Sequence, residues 1–259
     1  MSGEIALLAL GAGALIGVVL GLVGGGGSIL AVPLLVYLVG VRSPHLAIGT
    51  GAVAVAANAL VGLIGHARAG TVKWPCATVF AILGVVGAAL GAELGKAVDG
   101  RRLLILFGLL MIGIGLSMLV RRAKRETPDV RLTSATAASL LPRLAPIGFG
   151  VGLAAGFFGI GGGFLIVPGL IAATAMPMAF AIGTSLVVVT ALGLTTAASY
   201  ALSGMVDWTL AALLIAGGLL GSRLGLLLGQ RVAERKGLLE RIFAAMVILV
   251  GLYVAMRGA

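Results

Sequence analysis

Charge is scarce in this chain. Of its 259 residues, 10% are Asp, Glu, Lys or Arg, while 60% are apolar. A soluble domain averages about 25% charged and about 45–50% apolar. A soluble fold of this length would have to hide more apolar surface than its interior can hold. Cysteine is nearly absent. Cys76 stands alone, so no internal disulfide and no thiolate metal cluster can form. Histidine is limited to two residues and aromatics to 5%, and the basic residues are not interleaved with rings as a single-strand nucleic-acid groove requires. No Walker-type glycine–lysine loop and no metal-spaced His/Cys/Asp group occurs. Glu4 stands where a secretory signal would carry Lys or Arg. These absences argue against a soluble enzyme, a redox or metal protein, and a nucleic-acid partner.

What is abundant is glycine and apolar sequence. The 43 glycines follow no three-residue period, which excludes collagen, and the apolar content excludes disorder. Lipid is the solvent that remains. A bilayer core needs about 20 apolar residues per helix. Cutting the chain at its charges and Gly/Pro clusters yields ten segments: 5–23, 29–40, 46–65, 75–95, 103–120, 144–158, 164–175, 180–202, 209–229 and 242–256. Eight are near spanning length. The second and seventh are about a dozen residues long, follow glycine clusters, and contain Pro33 and Pro168. The stretch 121–143 is basic and Ser/Thr-rich and reads as a cytoplasmic linker. It separates residues 1–120 from residues 144–259.

The two parts repeat. Gly21-Leu-Val-Gly-Gly-Gly-Gly-Ser-Ile-Leu-Ala-Val-Pro33 aligns with Gly156-Phe-Phe-Gly-Ile-Gly-Gly-Gly-Phe-Leu-Ile-Val-Pro168 at an offset of 135. Ala47-Ile-Gly-Thr-Gly51 aligns with Ala181-Ile-Gly-Thr-Ser185, and Gly70 to Trp74 with Gly204 to Trp208, at an offset of 134. Composition bias would not keep Ala-Ile-Gly-Thr, Trp and Pro in the same order. An odd number of segments per repeat makes the repeats inverted. With five plus five segments and the linker inside, twelve Lys/Arg lie inside and five outside; four plus four gives nine and eight. The positive-inside rule therefore favours ten segments, with both termini outside. The expected fold is an all-α polytopic membrane protein of two inverted five-segment repeats, with short broken helices after glycine-rich loops.

Candidate contacts for a ligand follow from this plan. Gly24, Gly25, Gly26 and Gly27 precede a short helix expected to begin at Ser28, and Gly161, Gly162 and Gly163 precede its mate. Backbone broken at membrane depth is tolerated where it is buried in protein or lines a cavity. The first N–H groups of the next helix lack partners and carry about half a positive charge, which suits an anion. Inverted repeats bring two such starts toward one midplane point. The plainer alternative is close helix packing through small residues. Thr50, Thr184 and Ser185 lie in the first turns of the third and eighth segments and could donate to an anion, or bond their own helix. Asn58 is one of few amides in the membrane zone. Arg223 and Glu93 are the ionisable residues inside expected spans. Arg223 is a candidate anion contact, or a side chain that snorkels.

The paired motifs Gly21-x-x-Gly-Gly-Gly-Gly…Pro33 and Gly156-x-x-Gly-Ile-Gly-Gly-Gly…Pro168, each followed by Ala-Ile-Gly-Thr, resemble the TauE/SafE family of membrane transporters. The resemblance covers essentially the whole chain. It implies an inner-membrane permease that exports sulfite, sulfoacetate or a related organosulfonate, with the glycine breaks and the Thr50 and Thr184/Ser185 positions holding the substrate. It implies a small anion and the lipid bilayer as partners, no cofactor and no catalysis. A homo-oligomer is compatible with the sequence. An uptake permease, a channel for another small ion and a non-transporting membrane scaffold remain as alternatives.

Overall fold

The computed structural model describes residues 3–120, 132–159, 163–232 and 236–258, and all regular structure in these is helical. The helices are α1 (Gly3–Val23), α2 (Gly27–Leu38), α3 (Pro44–Arg68), α4 (Trp74–Lys96), α5 (Gly100–Val120), α6 (Ser134–Phe158), α7 (Gly163–Thr174), α8 (Met178–Leu202), α9 (Trp208–Val232) and α10 (Lys236–Gly258). Seven are long and apolar enough to cross a membrane. Their outward faces carry Leu7, Ile82, Leu90, Leu94, Leu220 and Leu224, the surface expected of helices whose surroundings are hydrocarbon. The chain is a multi-pass membrane protein.

Two boundaries differ from the sequence expectation. Helix α6 starts at Ser134, inside the stretch read as linker, because Thr133 and Thr136 cap its first turn reciprocally. It carries Pro142 and Pro146 internally, as membrane helices tolerate. The residues 121–131 lie outside the described structure. The second difference concerns α2, which is not a plain α-helix starting at Ser28. The four glycines are themselves wound into 3-10 turns over Gly24–Leu30. One α turn follows at Ala31–Pro33, then a π-helix over Leu34–Leu38. The hydrogen-bond step thus changes on either side of Pro33, a residue that has no N–H to give. The chain also reverses here: a side-chain carbon added at Gly27 would run into the Ile16 carbonyl and the Leu20 backbone of α1.

Matched loops close the matched helices. Gly70 (φ +68°) and Gly204 (φ +71°) end α3 and α8 in the left-handed conformation. In each loop the next amide returns to the helix, Thr71 N to His66 O at 3.1 Å and Met205 N to Tyr200 O at 2.9 Å. These are Schellman motifs, in register at the 134-residue offset.

Packing pairs the two halves by exchange. Helix α1 packs along α9, and α6 packs along α4. Glycine makes both seams close. A carbon added at Gly17 would overlap the Gly218 backbone, and one at its mate Gly152 would overlap the backbone of Gly84, the mate of Gly218. Residue numbers rise together along both seams, for example Ala14 with Gly221 and Val18 with Gly225, so these helices run parallel. Helices α3 and α8 are mates of each other and cross antiparallel: Gly49 lies by Tyr200, Ala56 by Gly193 and Gly62 by Leu186. Helices α5 and α10 are likewise antiparallel mates, with Gly108 by Gly251 and Gly115 by Ala244. An exchange that lays each mate antiparallel to the other requires a pseudo-twofold running across the helices, not along them.

Candidate functional site

The two broken segments meet. The 3-10 turns Gly24–Leu30 pack against α7, and also touch α1, α3 and α8. This puts the Gly24–Gly27 run and Ser28, which is fully buried, beside the helix opened by Gly163. Gly161 and Gly162 lie outside the described residues. The second break begins at Gly159, in the left-handed conformation (φ +65°), where an added carbon would strike Ile48 of α3. Ile48 precedes Gly49 and Thr50, so the second break abuts the Ala-Ile-Gly-Thr motif of the other half.

Thr50 and Thr184 are fully buried, and their hydroxyl oxygens are engaged. Thr50 Oγ1 accepts the Asp207 amide at 3.0 Å, and Thr184 Oγ1 accepts the Lys73 amide at 3.0 Å. Thr184 is the mate of Thr50, and Asp207 of Lys73, so the two bonds are one bond made twice. Each ties the second turn of a helix to the loop that opens α4 or α9 of the opposite half. Gly49 and Gly183 allow the approach, because a carbon on either would collide with the Met205 or Thr71 carbonyl of that loop. The Ser185 hydroxyl donates to its own helix, at the Ile182 carbonyl, 2.7 Å away. Thr50 and Thr184 stand toward opposite ends of the α3/α8 seam, since Gly49 lies by Tyr200 and Gly62 by Leu186, and each braces its own end.

Asn58 has no such duty. It is 1% exposed, and neither its Nδ2 nor its Oδ1 has a hydrogen-bond partner. The side chain lies against Gly218 of α9. Its mate is Leu192, which lies against Gly84 in the same way. One half therefore carries an amide with three or four unmet hydrogen bonds where the other carries a plain apolar side chain. One helical turn further along α3, Gly62 and His66 line a cavity of about 10 Å³ together with Leu20, Gly21, Leu186 and Ser222. That volume is room for about one water molecule. The Thr71 hydroxyl donates to the His66 carbonyl at 3.1 Å and so accepts from the ring Nδ1 at 2.9 Å.

Arg223 lies apart from these residues, on the exposed face of α9. Glu93 is also exposed and pairs with Lys96 at 2.7 Å. Residues that the sequence did not single out join the buried polar set at the far end of the α3/α8 seam. Tyr200 and Thr196 are fully buried, and both hydroxyls lack partners. The one signal for Tyr200 in the sequence is the repeat offset, which makes it the mate of His66. Among the described residues no group of three His, Cys, Asp or Glu side chains is placed to hold a metal.

Paired broken helices, small-residue seams and a buried polar centre within multi-pass apolar helices define a membrane transporter. Residues 9–254 match the family model described as sulfite exporter TauE/SafE. The chain belongs to the TauE/SafE family. It is 50% identical to a probable membrane transporter protein of Xylella fastidiosa (strain 9a5c), over 97% of this chain and 95% of that protein. It is 27% identical to the probable membrane transporter protein YunE of Bacillus subtilis (strain 168), over 95% of this chain and 96% of that one. No solved structure matches.

Proposed function

We propose that the chain exports a small sulfur-containing oxyanion (sulfite, sulfoacetate or a related organosulfonate) across the inner membrane by alternating access. The observation that carries this reading is the abutment of the Gly24–Leu30 turns with α7. A single glycine-rich turn serves close packing well enough. Two matched breaks whose short helices pack together, with Ser28 buried beside them, support a site lined by helix-start amides. That arrangement suits an anionic head group. The antiparallel mates α3/α8 and α5/α10 supply the two-sided symmetry that rocking-bundle transporters use to expose one site alternately to either side.

The basic stretch that leads into α6 is cytoplasmic on this reading and both termini are outside, from the Lys/Arg distribution. Trp74 and Trp208 are exposed mates that each open a helix, and they fit the two aromatic belts of a bilayer. An inside-negative potential favours outward anion movement by about 2.3 kcal/mol per charge per 100 mV. No cofactor and no catalytic step enters. The test is flux of sulfite and sulfoacetate from liposomes holding the purified chain, with an imposed potential or pH gradient. Flux of either anion above protein-free liposomes is expected. If neither moves under either gradient, the chain is not this exporter.

A further inference from the structure

The α3/α8 seam has two ends related by the repeat, and they are not in the same state. At one end Gly62, His66, Leu186 and Ser222 surround the small cavity with Leu20 and Gly21. The mates of these residues at the other end are Thr196, Tyr200, Ala52, Ala88, Ala155 and Gly156. That end is shut. Tyr200, Thr196, Ala52, Ala88 and Ala155 are each fully buried, and a carbon added at Gly156 would overlap the Ala88 backbone. The fully buried Tyr200 ring stands where the other end has the half-buried His66 ring beside its cavity.

Closure leaves polar groups stranded. The hydroxyls of Tyr200 and Thr196, one turn apart on a face of α8, have no hydrogen-bond partner, and neither has His45 Nδ1. The His45 ring stacks on Tyr200 with centroids 6.3 Å apart, and its Nε2 donates to the Val98 carbonyl at 3.1 Å. Lys96 Nζ stands 5.9 Å from the Tyr200 ring centroid, donating to Glu93 at 2.7 Å and to Ser203 at 3.0 Å. Glu93 in turn accepts from Ser199 at 2.9 Å. A buried hydroxyl without a partner is costly and rare. Two on one helix face are suited to a ligand that brings several acceptor oxygens.

We propose, building on the anion-transport reading, that Tyr200 and Thr196 form a second anion station and gate at this end of the seam. Their hydroxyls donate to the oxyanion when the end opens, and the Tyr200 ring plugs the passage when it closes.

The test is equilibrium binding of sulfite, sulfoacetate, sulfate and inorganic phosphate to the purified full-length chain in detergent, with melting of the ligand-free protein followed in parallel. Tyr200→Phe and Thr196→Val each remove one unpartnered hydroxyl and little volume, so both should melt at or above the wild-type temperature. Each should weaken anion binding about tenfold, the scale of one hydrogen bond to a charged group. Thr196→Ser, which keeps the hydroxyl, should restore it. Unchanged affinity in Tyr200→Phe and Thr196→Val would overturn the station, as would a wild-type chain that binds none of the four anions. A wild-type chain that binds an anion through these hydroxyls yet shows no flux in liposomes would refute the exporter and leave the station standing.

Discussion

Gly150 and Gly152 sit two residues apart on α6, and alanine should act oppositely at the two. Nothing lies within 4 Å of a carbon added at Gly150. There alanine relieves the conformational entropy of glycine in a helix, a gain of about 0.5–1 kcal/mol. At Gly152 the added carbon meets the carbonyl, Cα and carbonyl carbon of Gly84. No side chain can swing aside, because the obstacle is the backbone of α4. The seam must open, and overpacking of this kind costs about 1–3 kcal/mol, less the same helix gain of up to about 1 kcal/mol. The helix gain is common to both, so the two variants should differ by the overpacking cost itself, about 1–3 kcal/mol. For a chain of this length about 2–4 °C of melting temperature accompanies each kcal/mol, so a gap on the order of 2–12 °C is expected. The assay is thermal unfolding of the detergent-purified proteins, read by tryptophan fluorescence or by loss of monodisperse material. Gly17→Ala, the pseudo-twofold mate, should fall with Gly152→Ala. Equal melting of Gly150→Ala and Gly152→Ala would refute the seam packing, and a large difference between Gly17→Ala and Gly152→Ala would refute the exchange of the halves.

Two further outcomes follow from the same geometry. Thr50→Val strands the Asp207 amide and Thr184→Val strands the Lys73 amide. Both amides are half-buried, so each variant should lose about 1 kcal/mol of stability, the low end of the cost of an unmet buried amide. The two losses should be similar in a melting assay, since the two bonds are mates; a drop in one variant alone would count against the pairing. Asn58→Leu copies the Leu192 arrangement of the other half onto this one, and it removes two unpartnered polar atoms. Its melting temperature should match or exceed wild type while anion flux falls at least about tenfold, one hydrogen bond to a charged ligand being worth that much. Wild-type flux in a stable Asn58→Leu variant would remove Asn58 from the pathway.

Much of the architecture was legible in one dimension. The scarcity of charge decided the solvent, because no soluble fold can hide that much apolar side chain. The order of Gly, Pro, Ala-Ile-Gly-Thr and Trp disclosed the repeat, since order survives without knowledge of contacts. The start of α6 at Ser134 was not legible: its cap is a Thr133/Thr136 pair inside a basic, Ser/Thr-rich stretch that reads as linker. The irregular winding of Gly24–Leu38 was also hidden, because glycine runs state where a regular α-helix is weak and not which geometry replaces it.

The sequence by itself determined that this is a lipid-embedded helical protein of two like halves with paired glycine breaks. Only the tertiary structure decided how the halves exchange, α1 lying along α9 and α6 along α4, because that depends on which glycine backbones touch. It also separated residues of like chemistry. Thr50 and Thr184 brace loops across the interface through their hydroxyls, whereas Asn58, Thr196 and Tyr200 are buried with polar atoms unmet. Hydrogen-bond satisfaction is a property of surroundings assembled from distant parts of the chain, and no spacing along the sequence records it.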